Sequence, residues 1–150
     1  MDLGSEIEAL KMGFVPVKSL TTYVKSDEQD LQIDFVTCMH DGGDMPVLVK
    51  APNATMQPLK FMEFLMGAPI QITLLAQRGV ITVNAPSPEK YALHKLLVCC
   101  KRPQNMRIKA SKDLAQAASL IDYLAKNDVE LLADTWAGLI GRAPDWRSRA

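Results

Sequence analysis

Apolar and polar positions alternate most cleanly over residues 31–37. There Leu31, Ile33 and Phe35 fall on one face of an expected strand, and Gln32, Asp34 and Val36 on the other. Upstream, Ser5 to Met12 reads as a short helix with Ser5 as N-cap, Glu6 and Glu8 in its first turn, and Gly13 as its end. Val15 to Val24, rich in Val and Thr, reads as a strand, and Ser26 to Asp30 as a polar turn. Downstream, Asp41-Gly42-Gly43-Asp44 predicts a hairpin turn, with Pro46 to Lys50 returning as a short strand. Ala51 to Pro58 reads as loop and Leu59 to Met66 as one or two helical turns. Ile70 to Ala76 and Val80 to Asn84 predict two strands around Gln77-Arg78-Gly79, and Ala85-Pro86 stops the sheet.

The periodicity then changes from two to 3.6. Ser87 as N-cap, Pro88 at the first helical position and Glu89 in the first turn start a helix that Pro103 ends. Its apolar stripe is Leu93, Leu96, Leu97 and Cys100. A second helix carries a stripe at Leu114, Ala117, Ala118, Ile121 and Leu124, with Lys109, Asp113 and Gln116 on another face. Asp128 caps a third helix that Gly141 stops. The expected fold is α+β: a small, mostly antiparallel (mixed) sheet followed by a three-helix C-terminal segment. One domain is expected over residues 1–150, sheet-rich over 1–86, helical over 87–141, with a basic tail from Arg142 to Ala150 that contains Trp146.

Composition narrows the function classes. Seventeen basic residues balance seventeen acidic ones, which argues against general binding to duplex nucleic acid. Cys38, Cys99 and Cys100 form no CxxC pair, so they read as free thiols in a reducing cytosol rather than as a zinc site or disulfide framework. The acidic, interrupted first twenty residues are no signal peptide, and no apolar run would span a bilayer, so a cytoplasmic protein is expected.

The charge balance hides a local excess. Between Lys90 and Lys112 there are seven basic residues (Lys90, Lys95, Lys101, Arg102, Arg107, Lys109 and Lys112) and no Asp or Glu. Such a cluster attracts phosphate. Asp34, a lone carboxylate in an apolar strand, either faces water on an edge or needs a cation, a metal or hydrogen-bond donors. His94 and Lys95 read either as a core-edge histidine beside a solvated lysine or as part of the cation group. Lys109 and Asp113 are also spaced for an ordinary i,i+4 pair. Asp41-Gly42-Gly43-Asp44 lacks the ligand count of a calcium loop, and no Walker loop, GxGxxG or nucleophile triad is present.

Three segments together resemble a bacterial nucleotidyltransferase-fold family, distantly related to the minimal and the abortive-infection toxin-type nucleotidyltransferases. They are LQIDFVT at 31–37, GVITVNAPSPEKYALHKLLV at 79–98 and KASKDLAQAASLI at 109–121. The resemblance covers about residues 13 to 132. It implies a partial nucleotidyltransferase fold, the C-terminal part of one, in which Asp34 is the third carboxylate of a set that holds two Mg²⁺ ions. It implies substrate-binding roles for His94, Lys95, Lys109 and Lys112 near the nucleotide or the acceptor, with Asp113 and Gln116 ordering those lysines or meeting the nucleotide. The implied reaction moves a nucleoside monophosphate from an NTP to an acceptor hydroxyl, and Asp34, Lys95 and Lys109 are then expected to converge in one cleft. Members of the family also carry a Gly-Gly or Gly-Ser turn followed by Asp-x-Asp, and no Asp-x-Asp precedes Asp34 here. The expected partners are therefore an NTP, an acceptor, and a missing N-terminal half or a second chain supplying that pair. The alternative is a non-catalytic domain that binds a nucleotide or a partner through its basic helices.

Overall fold

A computed structural model describes residues 2–17, 20–28, 30–39, 43–77 and 79–142. Asp41 and Gly42 of the expected hairpin turn, and the tail from residue 143 with Trp146, lie outside these. The architecture is α+β. The chain divides into two compact units, residues 1–62 and 63–150.

The first unit begins with α1 (Leu3–Ala9), whose N-cap is Asp2 rather than Ser5. The Asp2 carboxylate accepts from the Ser5 backbone N–H at 3.0 Å, so Ser5 is already inside the first turn. Val15 to Val24 is not one strand. It is β1 (Phe14–Pro16) and β2 (Thr22–Lys25), paired antiparallel with Val15 opposite Val24. Leu20 adopts φ +55° in the connection, where an uninterrupted strand cannot persist.

The alternating segment at 31–37 is also divided. β3 (Gln32–Asp34) pairs antiparallel with β2, whereas β4 (Val36–Cys38) pairs parallel with β6 (Ala54–Leu59). Phe35 is the pivot: its N–H donates to Thr21 O at 2.7 Å, and its carbonyl accepts from Gln57 N at 2.8 Å. The chain keeps its extended course and changes partners at this residue. The Phe35 ring lies 5.6 Å from that of Tyr23, which is buried together with Ile7 and Ala54.

β5 (Val47–Val49) does not pair with β4. Both flank β6, in the order β4-β6-β5. Ala51 to Pro58, read as loop, therefore holds most of a central strand. Pro58 is tolerated because β5 reaches only as far as Met56; beside Pro58, β6 has β4 as its one paired neighbour. Asn53, at φ +55°, turns the β5–β6 hairpin, and its Nδ2 donates to Asp2 Oδ2 at 2.6 Å. The same Asp2 thus caps α1 and ties it to the hairpin loop.

In the second unit, β7 (Ile70–Ala76) and β8 (Gly79–Ala85) form the expected hairpin. One face carries Ile72 opposite Val83 and Leu74 opposite Ile81; the other carries Gln71 opposite Asn84 and Thr73 opposite Thr82. The short helix α2 (Met62–Leu65) stands at the division between the units, and Lys90 Nζ donates to the Gly67 carbonyl just beyond it. Three helices follow: α3 (Pro88–Cys99), α4 (Arg107–Asn127) and α5 (Val129–Ile140). Asp128 caps α5 by accepting from Leu131 N at 3.2 Å, as its position predicts. Ser87 does occupy the N-cap of α3, but its hydroxyl donates to the buried Glu89 carboxylate rather than accepting from the backbone.

Leu97 and Leu139, each 1% exposed, are the largest fully buried side chains among the described residues, and Ala92 and Ala117 are wholly buried. Burying one leucine is worth roughly 1.5–3 kcal/mol, so this layer anchors the second unit. On α3 the stripe holds at Leu93 and Leu97, Leu96 is half-buried, and Cys100 is exposed beyond the last turn. On α4 the buried face is rotated from the expected one. Asp113, Ala117 and Leu124 are buried, with Gln116, Leu120 and Ile121 half-buried, whereas Leu114 is 52% exposed and Ala118 is exposed. The cause is Asp113, a charged residue that pattern reading places outside and that α3 draws in.

Candidate functional site: a shared carboxylate and a lysine face

Asp113 is 3% exposed. An ionised carboxylate there must be matched by cations and hydrogen bonds. Both of its oxygens are used: Lys95 Nζ on α3 donates to Oδ1 at 2.8 Å, and Arg102 Nε in the α3–α4 connection donates to Oδ2 at 2.5 Å. Burial alone would raise the Asp113 pKa, but the donors Lys95 and Arg102 outweigh it and hold the carboxyl below its usual range. Burial likewise pulls against the Lys95 charge, and the hydrogen bonds of its ammonium to Asp113 and Tyr91 more than restore it, so the lysine is held above its ordinary value. The Lys95 ammonium also sits 5.1 Å from the centroid of the Tyr91 ring, one helical turn back on α3. Asp113 therefore orders Lys95, and Lys95 orders Tyr91. The partners of Asp113 are Lys95 and Arg102 rather than the i,i+4 neighbour Lys109.

Two positive charges meeting one negative charge leave an excess of one. Beside this group, Lys109 and Lys112 are exposed on α4. In an α-helix Lys109, Lys112 and Gln116 fall three and four residues apart, which puts them on one face. Gln116 is half-buried, and its Oε1 is enclosed with no hydrogen-bond partner. His94 is half-buried on α3. A cavity of about 410 Å³ lies along Tyr91, Ala115, Gln116, Ser119 and Leu120. Arg102 and Tyr91 were not singled out by the sequence. Nothing in the sequence separates Arg102 from the six other cations of its cluster, and Tyr91 reads as an ordinary helix residue.

Asp34 belongs to the first unit. It ends β3 and is exposed, as expected for the face opposite Ile33 and Phe35. Its Oδ1 accepts from Thr22 Oγ1 at 2.7 Å, across the β2–β3 ladder, and its Oδ2 from Gln32 Nε2 at 2.9 Å. A cavity of about 300 Å³ opens beside it, lined by Thr21, Thr22, Phe35, Val36, Gln57 and Leu59 as well as Asp34. The described residues of this lining bring no second carboxylate. Among the described residues no group of three or more His, Cys, Asp or Glu side chains could hold a metal ion. Two divalent metals need several anionic oxygens, so these residues do not by themselves fit a two-metal centre. Cys99 is half-buried, with its Sγ 3.1 Å from Leu96 O, and burial pushes its thiol up; it is no activated nucleophile.

A family model described as nucleotidyltransferase matches residues 1–141. The chain belongs to that nucleotidyltransferase family. No curated protein and no solved structure matches it. No helix among the described residues is long and apolar enough to cross a membrane.

Proposed function

We propose that the chain supplies the nucleotide-holding part of an enzyme that transfers a nucleoside monophosphate from an NTP to an acceptor hydroxyl. The observation that carries this reading, beside the family itself, is the commitment of Asp113 to Lys95 and Arg102. That commitment leaves Lys109 and Lys112 exposed on the adjoining face of α4 as cations for a polyphosphate. Lys95 acts from within the group: it fixes Tyr91 and adds to the positive field, and His94 flanks it on α3. In this reading Asp34, in the first unit, is the catalytic carboxylate, and it would be one member of a carboxylate set that holds Mg²⁺. The other carboxylates come from a preceding segment or a second chain.

The test is incubation of the chain with α-labelled NTPs and Mg²⁺, with and without a supplied polypeptide carrying an Asp-x-Asp segment. Label transferred to an acceptor, and lost in Asp34→Ala, supports the reading. Tight nucleotide binding that is indifferent to Mg²⁺ and gives no labelled product favours a non-catalytic nucleotide-binding domain. That second reading draws on the absence of a carboxylate cluster among the described residues. Absence of any nucleotide or polyphosphate binding removes both.

A further inference from the structure

Four of the cavities among the described residues differ in what they could hold. The one bounded by Leu93, Leu96, Ile121, Val129, Leu132, Ala133 and Trp136, about 350 Å³, is almost entirely apolar, and its described lining brings no charged, amide or hydroxyl side chain to orient a polar ligand. Two lie in the first unit, one beside Asp34 and one beside Asp2 and Tyr23. The fourth, along Tyr91, Gln116 and Ser119, combines an aromatic wall, an amide without a partner for its oxygen, and a hydroxyl.

We infer that this fourth cavity is a nucleobase subsite, with Tyr91, Gln116 and Ser119 as its recognition residues; the inference rests on the nucleotide reading above and adds to it where the base goes. Its volume of about 410 Å³ falls in the range of roughly 300–1,000 Å³ usual for small-molecule sites. The position follows from helix geometry. Lys112 precedes Gln116 by four residues and Ser119 by seven, so the three fall along one face of α4 with about 6 Å of rise between Lys112 and Gln116. A phosphate chain held by Lys109 and Lys112 would place the sugar and base one turn further along that face, at the cavity.

The wall is pre-set. Tyr91 is held by the Lys95 ammonium, 5.1 Å from its ring centroid, and Lys95 is held by Asp113 at 2.8 Å. An aromatic side chain fixed before binding loses little freedom when a base packs on it. The enclosed Gln116 Oε1 has no hydrogen-bond partner, a condition that native structures rarely leave uncorrected. Rotation of its amide toward the cavity offers both an acceptor and donors to a base edge. Ser119 Oγ donates to Ala115 O at 3.0 Å and keeps its lone pairs free to accept from a base amino or imino group.

The experiment titrates the full chain calorimetrically with ATP, GTP, CTP and UTP in turn, and with inorganic tripolyphosphate as the probe that has no base. At least one nucleotide is expected to bind about 10-fold tighter than tripolyphosphate. Gln116→Ala and Tyr91→Leu are expected to bring that nucleotide down to the tripolyphosphate level, while Tyr91→Phe keeps most of the preference. Tripolyphosphate binding itself should be unchanged in these variants and weakened in Lys112→Ala. Equal binding of tripolyphosphate and all four nucleotides, with Gln116→Ala silent, overturns the base subsite and leaves the phosphate reading standing. Failure of the chain to bind nucleotides and tripolyphosphate alike overturns both. Gln116 is half-exposed, so its variant keeps the test decisive should the Tyr91 variants fold poorly.

Discussion

Lys95 and Asp113, eighteen residues apart on neighbouring helices, meet at 2.8 Å, and Arg102 closes the other carboxylate oxygen at 2.5 Å. One side chain thereby fixes the end of α3, the connection and the start of α4. Removing it strands two partly buried cations. Breaking a fully buried pair from one side costs about 3–5 kcal/mol. The side chains of Lys95 and Arg102 remain 20% and 24% exposed, which moderates the loss. Asp113→Ala should therefore destabilise the chain by about 2–4 kcal/mol, read as a lower urea midpoint.

The same group sets a pH profile. The folded Asp113 carboxyl is held low, so its stabilisation is fully present above the unfolded value, near 3.9 for a free aspartate, and is lost as pH falls through the lower folded value. Lys95 is held high, so its contribution is complete below the unfolded lysine value, near 10.4, and is lost as pH rises through the raised folded value. Urea melts across pH should show both limbs flattened in Asp113→Asn relative to the parent chain.

Burial on α3 and α4 can be checked by a contrast of two leucines. Leu97 is 1% exposed and Leu114 52% exposed. Leu97→Ala should cost about 2–5 kcal/mol. Leu114→Ala should change stability by less than about 0.5 kcal/mol. Equal losses would mean that the α4 stripe faces the way its hydrophobicity suggests.

Gly4 stands where a side chain does not fit. A Cβ built there would come within 2.5 Å of the Tyr23 hydroxyl oxygen, and Tyr23 is buried and cannot swing away freely. Gly4→Ala should destabilise by about 1–3 kcal/mol through overpacking, and Gly4→Ala with Tyr23→Phe should recover part of the loss, as a double-mutant cycle in thermal unfolding will show.

Asp34 offers the opposite separation. Its bonds to Thr22 and Gln32 are exposed, so Asp34→Ala should shift stability by no more than about 1 kcal/mol. In the transfer assay with a complementing segment, the same variant should lose its product.

These contrasts follow the limits of reading the chain as a string. The start of α3 at Ser87-Pro88, the cap at Asp128 and the β7–β8 hairpin were legible because local chemistry fixes each of them. β6 was not legible: its alternation is short, Ala54 and Met56 against Thr55 and Gln57, and runs straight into Pro58, and only the reach of β5 makes that proline acceptable. The split at Phe35 was invisible for a related reason, since both halves keep strand alternation and only their partners differ. Among the candidate residues, Asp34 and the lysines stood out by type and company. That Asp113 orders a lysine was implied by the family resemblance, but which cations it holds was not legible, because the i,i+4 spacing to Lys109 offered a simpler local partner than Lys95 and Arg102.

The division at Phe35 has a consequence for slow opening motions. Its amide hydrogen is held by Thr21 in one sheet, and its carbonyl holds the Gln57 amide in the other. Neither sheet can peel away from this strand without releasing one of those two protons to solvent. In deuterium, matched exchange at Phe35 and Gln57 would mean that the first unit opens as a single cooperative piece, and faster exchange at one of them would show which sheet detaches first.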